Sequence, residues 1–290
     1  MSAVTTDETG LVRRALAGRL VLVVGGLLFV GAALRLVVQG DTGIRYSADH
    51  HDTVPMWAGW IPALVGIALV RLVPPAADPQ WPDRIAPYRE AVPLLLAGVA
   101  FAVILPMLGG EPAYTLLKVT LLTGVPLGVL LRSRRRGARW HPWRPVDAAH
   151  RYGPALPVLA WLALSYATPL AVPPGDFGRT VDPAVLVGVL VVGFAANALL
   201  EEVFYRRWLQ SRWESILGRW PAIALASLVW AAWHVGIQGT GRLGTDLASV
   251  AVNQGVLGLF LGYLWSRYRR MWPLLVVHGA VNSVPILLGL

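Results

Sequence analysis

The chain of 290 residues contains no cysteine, which excludes disulfides, thiolate metal sites and any cysteine nucleophile. Lysine is nearly absent too, with Lys118 alone against 24 arginines. Charge of either sign is thin: 14% of residues are charged, where a soluble domain carries about 25%. A water-soluble fold of this length would need that charge to cover its surface. Disorder is excluded as well, because 56% of the residues are hydrophobic. Two catalytic signatures are also missing. There is no H-E-x-x-H, and Ser227, Ser249 and Ser283 have no glycine-flanked elbow around them.

What is present in quantity is apolar sequence. Nine stretches are long enough to cross about 30 Å of hydrocarbon at 1.5 Å per residue. They fall near 20–38, 55–73, 92–108, 114–131, 154–172, 183–205, 221–237, 247–265 and 272–290. The second is short and the ninth runs to the chain end, so eight crossings plus one re-entrant segment fit equally. The runs are continuous and not alternating, which predicts an all-α polytopic membrane protein and not a β-barrel.

The net charge of +9 is a topological signal and not a nucleic-acid footprint. Twenty basic residues fall in the segments on one side of these spans. Only Arg45, Arg179 and Arg242 fall on the other, with Arg35 and Lys118 inside spans. The bias places the N-terminus in the cytoplasm. Residues 1–19 then form a cytoplasmic segment, and 20–182 carry five helices with a basic cytoplasmic loop at 132–153, where Trp140 and Trp143 are interfacial anchors. Residues 183–290 carry the last four helices. The first apolar run is longer than a signal-peptide core, and no A-x-A-like site ends it. The predominance of arginine over lysine points to a GC-rich bacterial genome and hence a bacterial plasma membrane.

Ionisable groups at bilayer depth are costly, so each needs a reason. Arg35 and Lys118 lie near span ends and are expected to snorkel to the interface. The last four spans are different. They carry Asn197, Glu201, Glu202 and Arg206; then His234; then Asn253 and Gln254; then His278 and Asn282. Glu202 and Arg206 are four apart and can pair on one helix face, which leaves Glu201 without a partner on its own helix. His278 and Asn282 repeat the same spacing. The midpoint between Glu201 and His234 falls between Leu217 and Gly218, close to Pro221. A hairpin turning there sets the acid level with the imidazole. Glu201 also lies close to Arg206 and Arg207, read as the cytoplasmic boundary.

A glutamate and a histidine facing one polar cavity can hold and deprotonate a water, directly or through a metal. A second histidine plus an amide can stabilise an oxyanion. That layout suits amide hydrolysis.

Three motifs occur in order. Glu201-Glu202-Val203-Phe204-Tyr205-Arg206 matches E-E-x-x-x-R, and Trp230-Ala231-Ala232-Trp233-His234 is similar to F-x-x-x-H with tryptophan for phenylalanine. His278-Gly279-Ala280-Val281-Asn282 matches H-x-x-x-N. Together they resemble the CPBP intramembrane proteases, the family of the type II CAAX prenyl endopeptidases, also called the abortive-infection family. The resemblance implies an intramembrane endopeptidase in which Glu201 and His234 position the hydrolytic water. His278 and Asn282 would stabilise the oxyanion or complete a metal site, and Glu202 and Arg206 would support them. It allows two mechanisms: zinc held by Glu201, His234 and His278, or a metal-free glutamate protease. The implied substrate is a membrane-associated peptide or protein, of which a prenylated CAAX peptide is one class. The implied partners are that substrate and the lipid bilayer, with no nucleic acid. Helices before residue 183 match no motif.

Two other classes use buried Glu and His groups. A transporter or channel would use them as an ion or proton path, but should show broken helices in repeated halves, and no such symmetry is visible. A catalytically silent immunity or scaffold protein should have lost one of the four polar residues, and all four are present. Asp49, His50, His51 and Asp52 offer metal ligands, but four adjacent loop residues seldom close a tetrahedral site. Gly255, Gly258 and Gly262 are expected to seat their helix closely against its neighbours.

Overall fold

The computed structural model describes residues 4–46, 52–73, 88–108, 110–136 and 148–290. Within them the chain is helical nearly throughout, and the sheet is one two-stranded hairpin. The main helices are α1 (Val4–Gln39), α2 (Met56–Leu72) and α3 (Tyr88–Leu108). They are followed by α4 (Ala113–Arg135), α5 (Ala155–Tyr166) and α6 (Pro183–Leu217). The last three are α7 (Arg219–Gln238), α8 (Leu243–Tyr268) and α9 (Met271–Leu288). Strands β1 (Gly43–Arg45) and β2 (Thr53–Pro55) pair antiparallel with Ile44 opposite Val54.

Seven of these helices are long and apolar enough to cross a membrane: α1, α3, α4, α6, α7, α8 and α9. The chain is a multi-pass, all-α membrane protein. The other two expected spans form shorter helices of 17 and 12 residues, α2 and α5. Proline explains both. Pro55 precedes α2 and Pro74 and Pro75 follow it, while Pro169, Pro173 and Pro174 follow α5 and cannot extend its hydrogen-bond ladder. Residues 4–19 form the first turns of α1 and run continuously into the first apolar stretch.

The core is densest in the last third of the chain and takes in Ala63, Phe101, Leu122 and Trp161 of α2 to α5. The most apolar window of α8 is 67% buried and that of α1 only 11%. Leu20, Leu27 and Leu34 of α1 point outward, as helices solvated by lipid require. Glycines let α8 approach the centre. A Cβ at Gly258 would stand 2.9 Å from the Ser227 Cβ of α7, and one at Gly262 would stand 2.9 Å from Ile223. Gly255 faces Phe29 of α1 in the same way. The expected seating role of the three glycines matches these contacts.

The α6–α7 turn falls at Gly218, whose φ of +89° suits a residue without a Cβ. This is the place the Glu201–His234 midpoint predicts. One expectation changes: α6 does not end near Tyr205 but continues to Leu217, and Arg206 is fully buried. Arg206 is therefore not a boundary charge, and Glu201 sits near the middle of a 35-residue helix. Asn253 lies away from the other polar groups and donates to the Arg45 carbonyl of β1 at 3.1 Å. Arg35 is exposed beside Gly244. Asp49, His50, His51, Trp140 and Trp143 lie outside the described residues.

Candidate active site

Helix α6 contains two wide π-helical stretches, Phe194–Leu199 and Val203–Gln210, on either side of the α-helical turn Leu200–Glu202. Such stretches are rare and concentrate at functional sites. The two acids they bracket are both buried, each 1% exposed.

Each acid has its own cation. Glu202 Oε2 accepts from Arg206 Nε at 3.3 Å, the i,i+4 pair expected from spacing. Glu201 Oε1 pairs with Lys118 Nζ of α4 at 2.6 Å. The expectation that Lys118 snorkels to the interface is therefore corrected. The residue is 2% exposed and its side chain turned inward, because the carboxylate, Asn197 Oδ1 at 2.6 Å and the Tyr114 hydroxyl together replace its water. The ammonium also lies over the rings of Tyr114 and Trp233, 4.5 and 5.1 Å from their centroids.

The indole of Trp230 is the hub of the site. Its Nε1 donates to Glu201 Oε2 at 2.7 Å. Its ring meets the His234 imidazole edge to face at 5.1 Å and that of His278 at 5.4 Å. Three motifs from three helices therefore converge on one side chain. His234 Nδ1 lies 3.1 Å from the Trp230 carbonyl, which can only accept, so Nδ1 carries the proton and Nε2 keeps a lone pair. Trp233 stacks on the other face of His234 at 3.9 Å. His278 Nδ1 donates to Glu202 Oε1 at 2.8 Å, which aims Nε2 toward Glu201 Oε2, 3.9 Å away. That gap is too long for a direct hydrogen bond. One turn beyond His278, the amide nitrogen of Asn282 is buried with no hydrogen-bond partner among the described residues.

Residues 183–284 match the family model described as type II CAAX prenyl endopeptidase Rce1-like. The matched segment, about a third of the chain, is similar to that family and is called the Rce1-like domain below. It carries all three motifs and supports an intramembrane CAAX-type protease of the CPBP family. No curated protein matches the chain, and no solved structure does.

The Rce1-like domain supplies Glu201, Glu202, Arg206, His234, His278 and Asn282, but the cation that faces Glu201 comes from outside it. Sequence reasoning passed over Lys118, although a signal was present: the one lysine of the chain lies inside a span, where any ionisable residue is a functional candidate. As arranged, the domain's donors do not fit a metal ion. A divalent cation needs several lone pairs converging on one point. Here Glu201 faces an ammonium and an indole N–H, while Glu202 and His278 face each other. No group of three His, Asp or Glu side chains among the described residues converges in that way.

Proposed function

We propose that the Rce1-like domain hydrolyses a peptide bond of a membrane-associated substrate with a water held at Glu201 and His234, without a metal. The observation that carries this reading is the convergence of Glu201, His234 and His278 on Trp230, with two imidazole Nε2 atoms and the Asn282 amide left uncommitted. Each Glu201 oxygen can accept twice, so Oε2 can take a water beside the Trp230 N–H. His234 Nε2 accepts the second hydrogen bond of that water.

In the reaction, Glu201 takes the water proton as the water oxygen bonds to the substrate carbonyl carbon. The carbonyl electron pair moves to oxygen, where Asn282 Nδ2–H and a protonated His278 Nε2–H stabilise the negative charge. His278 is held for this role by Glu202, which Arg206 holds in turn. Collapse of the intermediate breaks the C–N bond, and the proton on Glu201 passes to the leaving amine. The Rce1-like description makes a prenylated peptide ending in Cys-a-a-X the first substrate to try.

The test uses full-length protein in nanodiscs and a farnesylated, internally quenched Cys-a-a-X peptide. Wild type should cleave it, and Glu201→Gln should lower kcat by about 10²–10⁴-fold, the usual range for loss of a general base. Equal turnover by both would sink the assignment. If wild type leaves this probe intact, the membrane peptides of cells expressing wild type and Glu201→Gln are compared. A peptide cleaved only by wild type keeps the protease reading and replaces the substrate. Metal content at or above one ion per chain, lost in His234→Ala together with activity, would overturn the metal-free mechanism.

A further inference from the structure

We infer that Lys118 is a positioning residue for Glu201, contributed from α4 outside the Rce1-like domain. This rests on the protease reading above. The terminal torsion of a glutamate is soft, so an unrestrained carboxylate turns freely about its last bond. Here the two oxygens are pinned separately, Oε1 by Lys118 at 2.6 Å and Oε2 by the Trp230 indole at 2.7 Å. Two donors from two different helices fix the carboxylate plane, with His278 Nε2 3.9 Å from Oε2.

Lys118 is itself held on every side. An ammonium has three donors, and three acceptors meet it: Glu201 Oε1, Asn197 Oδ1 and the Tyr114 hydroxyl. Tyr114 also donates toward Asn197 Oδ1 at 3.2 Å, closing the cluster. No donor is left to bind substrate, which separates positioning from catalysis. The lysine also reaches the second half of the site. Its ammonium lies over the Trp233 ring, and Trp233 stacks on His234. One side chain thus touches Glu201 directly and reaches His234 through the Trp233 ring. Arginine is the default cation of this chain, and its planar fork can still pair with the Glu201 carboxylate but cannot meet all three acceptors on their separate sides, so it restores the pairing only in part.

The geometry predicts a defect in turnover and not in binding. With the probe peptide of the previous section, or the Glu201-dependent peptide that replaces it, Lys118→Met should lower kcat about 10²-fold, the usual cost of a misplaced reacting group. KM should stay within about threefold of wild type, and Lys118→Arg should regain at least tenfold over Lys118→Met. Full kcat in folded Lys118→Met would overturn the inference. So would a loss shared by kcat and KM that Lys118→Arg does not repair. If Lys118→Met does not fold, Lys118→Met/Glu201→Gln decides, because it removes both charges together. Recovery of folding in the double variant supports the pairing of Lys118 with Glu201, and continued failure overturns it. An active Glu201→Gln enzyme overturns the protease reading itself, whereas inert Glu201→Gln beside fully active Lys118→Met sinks this inference alone.

Discussion

Two buried acid clusters lie on α6, about 20 Å apart along the helix at 1.5 Å per residue, and they are built differently. The first, around Glu201 and Glu202, gathers two cations, two imidazoles and an orphaned amide. The second surrounds Glu214, which forms an ion pair with Arg269 and accepts from Gln210 Nε2 at 2.9 Å. Gln210 also donates to the Gly262 carbonyl of α8 at 2.8 Å, and Trp265 Nε1 donates to Ser211 at 2.9 Å. Arg269 occupies the left-handed region, φ +50°, just past the end of α8, and its guanidinium reaches back to α6. Every strong donor in this second set ties α6 to α8 or to the turn after it, and no imidazole takes part. Buried charge therefore does two jobs in one helix. Where acid and base are matched and closed, the cluster is a clamp. Where side chains that can shift protons remain open beside a carboxylate, the cluster has the composition the proposed hydrolysis needs.

The largest effect that separates the two clusters is expected from Glu214→Ala. It leaves Arg269 buried without its carboxylate, and removing one partner of such a pair costs about 3–5 kcal/mol. Thermal unfolding of purified protein should report that loss, while kcat per folded molecule stays near wild type. A fall in kcat with unchanged unfolding would erase the distinction. The next is Asn282→Ala, with the opposite signature. Removing one oxyanion donor lowers kcat by about 10²–10³-fold. Because the amide nitrogen has no partner in the resting site, stability should hold or rise slightly. Loss of stability with intact turnover would show the amide to be part of the packing. The smallest is Gly262→Ala, where the new Cβ would press on Gln210 Oε1 at 2.8 Å and on Ile223 at 2.9 Å. Overpacking of this kind costs about 1–3 kcal/mol. It should lower the unfolding temperature through the clamp and leave KM unchanged.

Much of this arrangement was legible before any coordinates. Continuous apolar runs demand helices, since lipid offers the backbone no other partner. The i,i+4 spacing of Glu202 and Arg206 predicts their pairing, and the symmetry of a hairpin locates the turn at Gly218. Three features were hidden, each for a physical reason. Lys118 can be satisfied at the interface or inside the bundle, and only the position of Glu201 on another helix decides between them. The end of α6 was misplaced because Arg206 and Arg207 look like a water boundary, whereas the fold buries Arg206 against Glu202 and the Trp230 ring. The π-helical stretches carry no distinctive residue pattern and arise from how α6 packs. Asn253 was ambiguous in the same sense, because an amide in a span can serve a site or a backbone carbonyl, and here it serves the Arg45 carbonyl.

The origin of Lys118 on α4 also bears on how portable this site is. A fragment cut to α6–α9 would keep every motif residue and still bury Glu201 with no counter-charge. Grafting those four helices onto another membrane scaffold would transfer the signature without the environment that makes it work. The unit to be inherited, expressed or engineered is therefore wider than the stretch its motifs mark out, and it includes at least the turn of α4 that carries Tyr114 and Lys118.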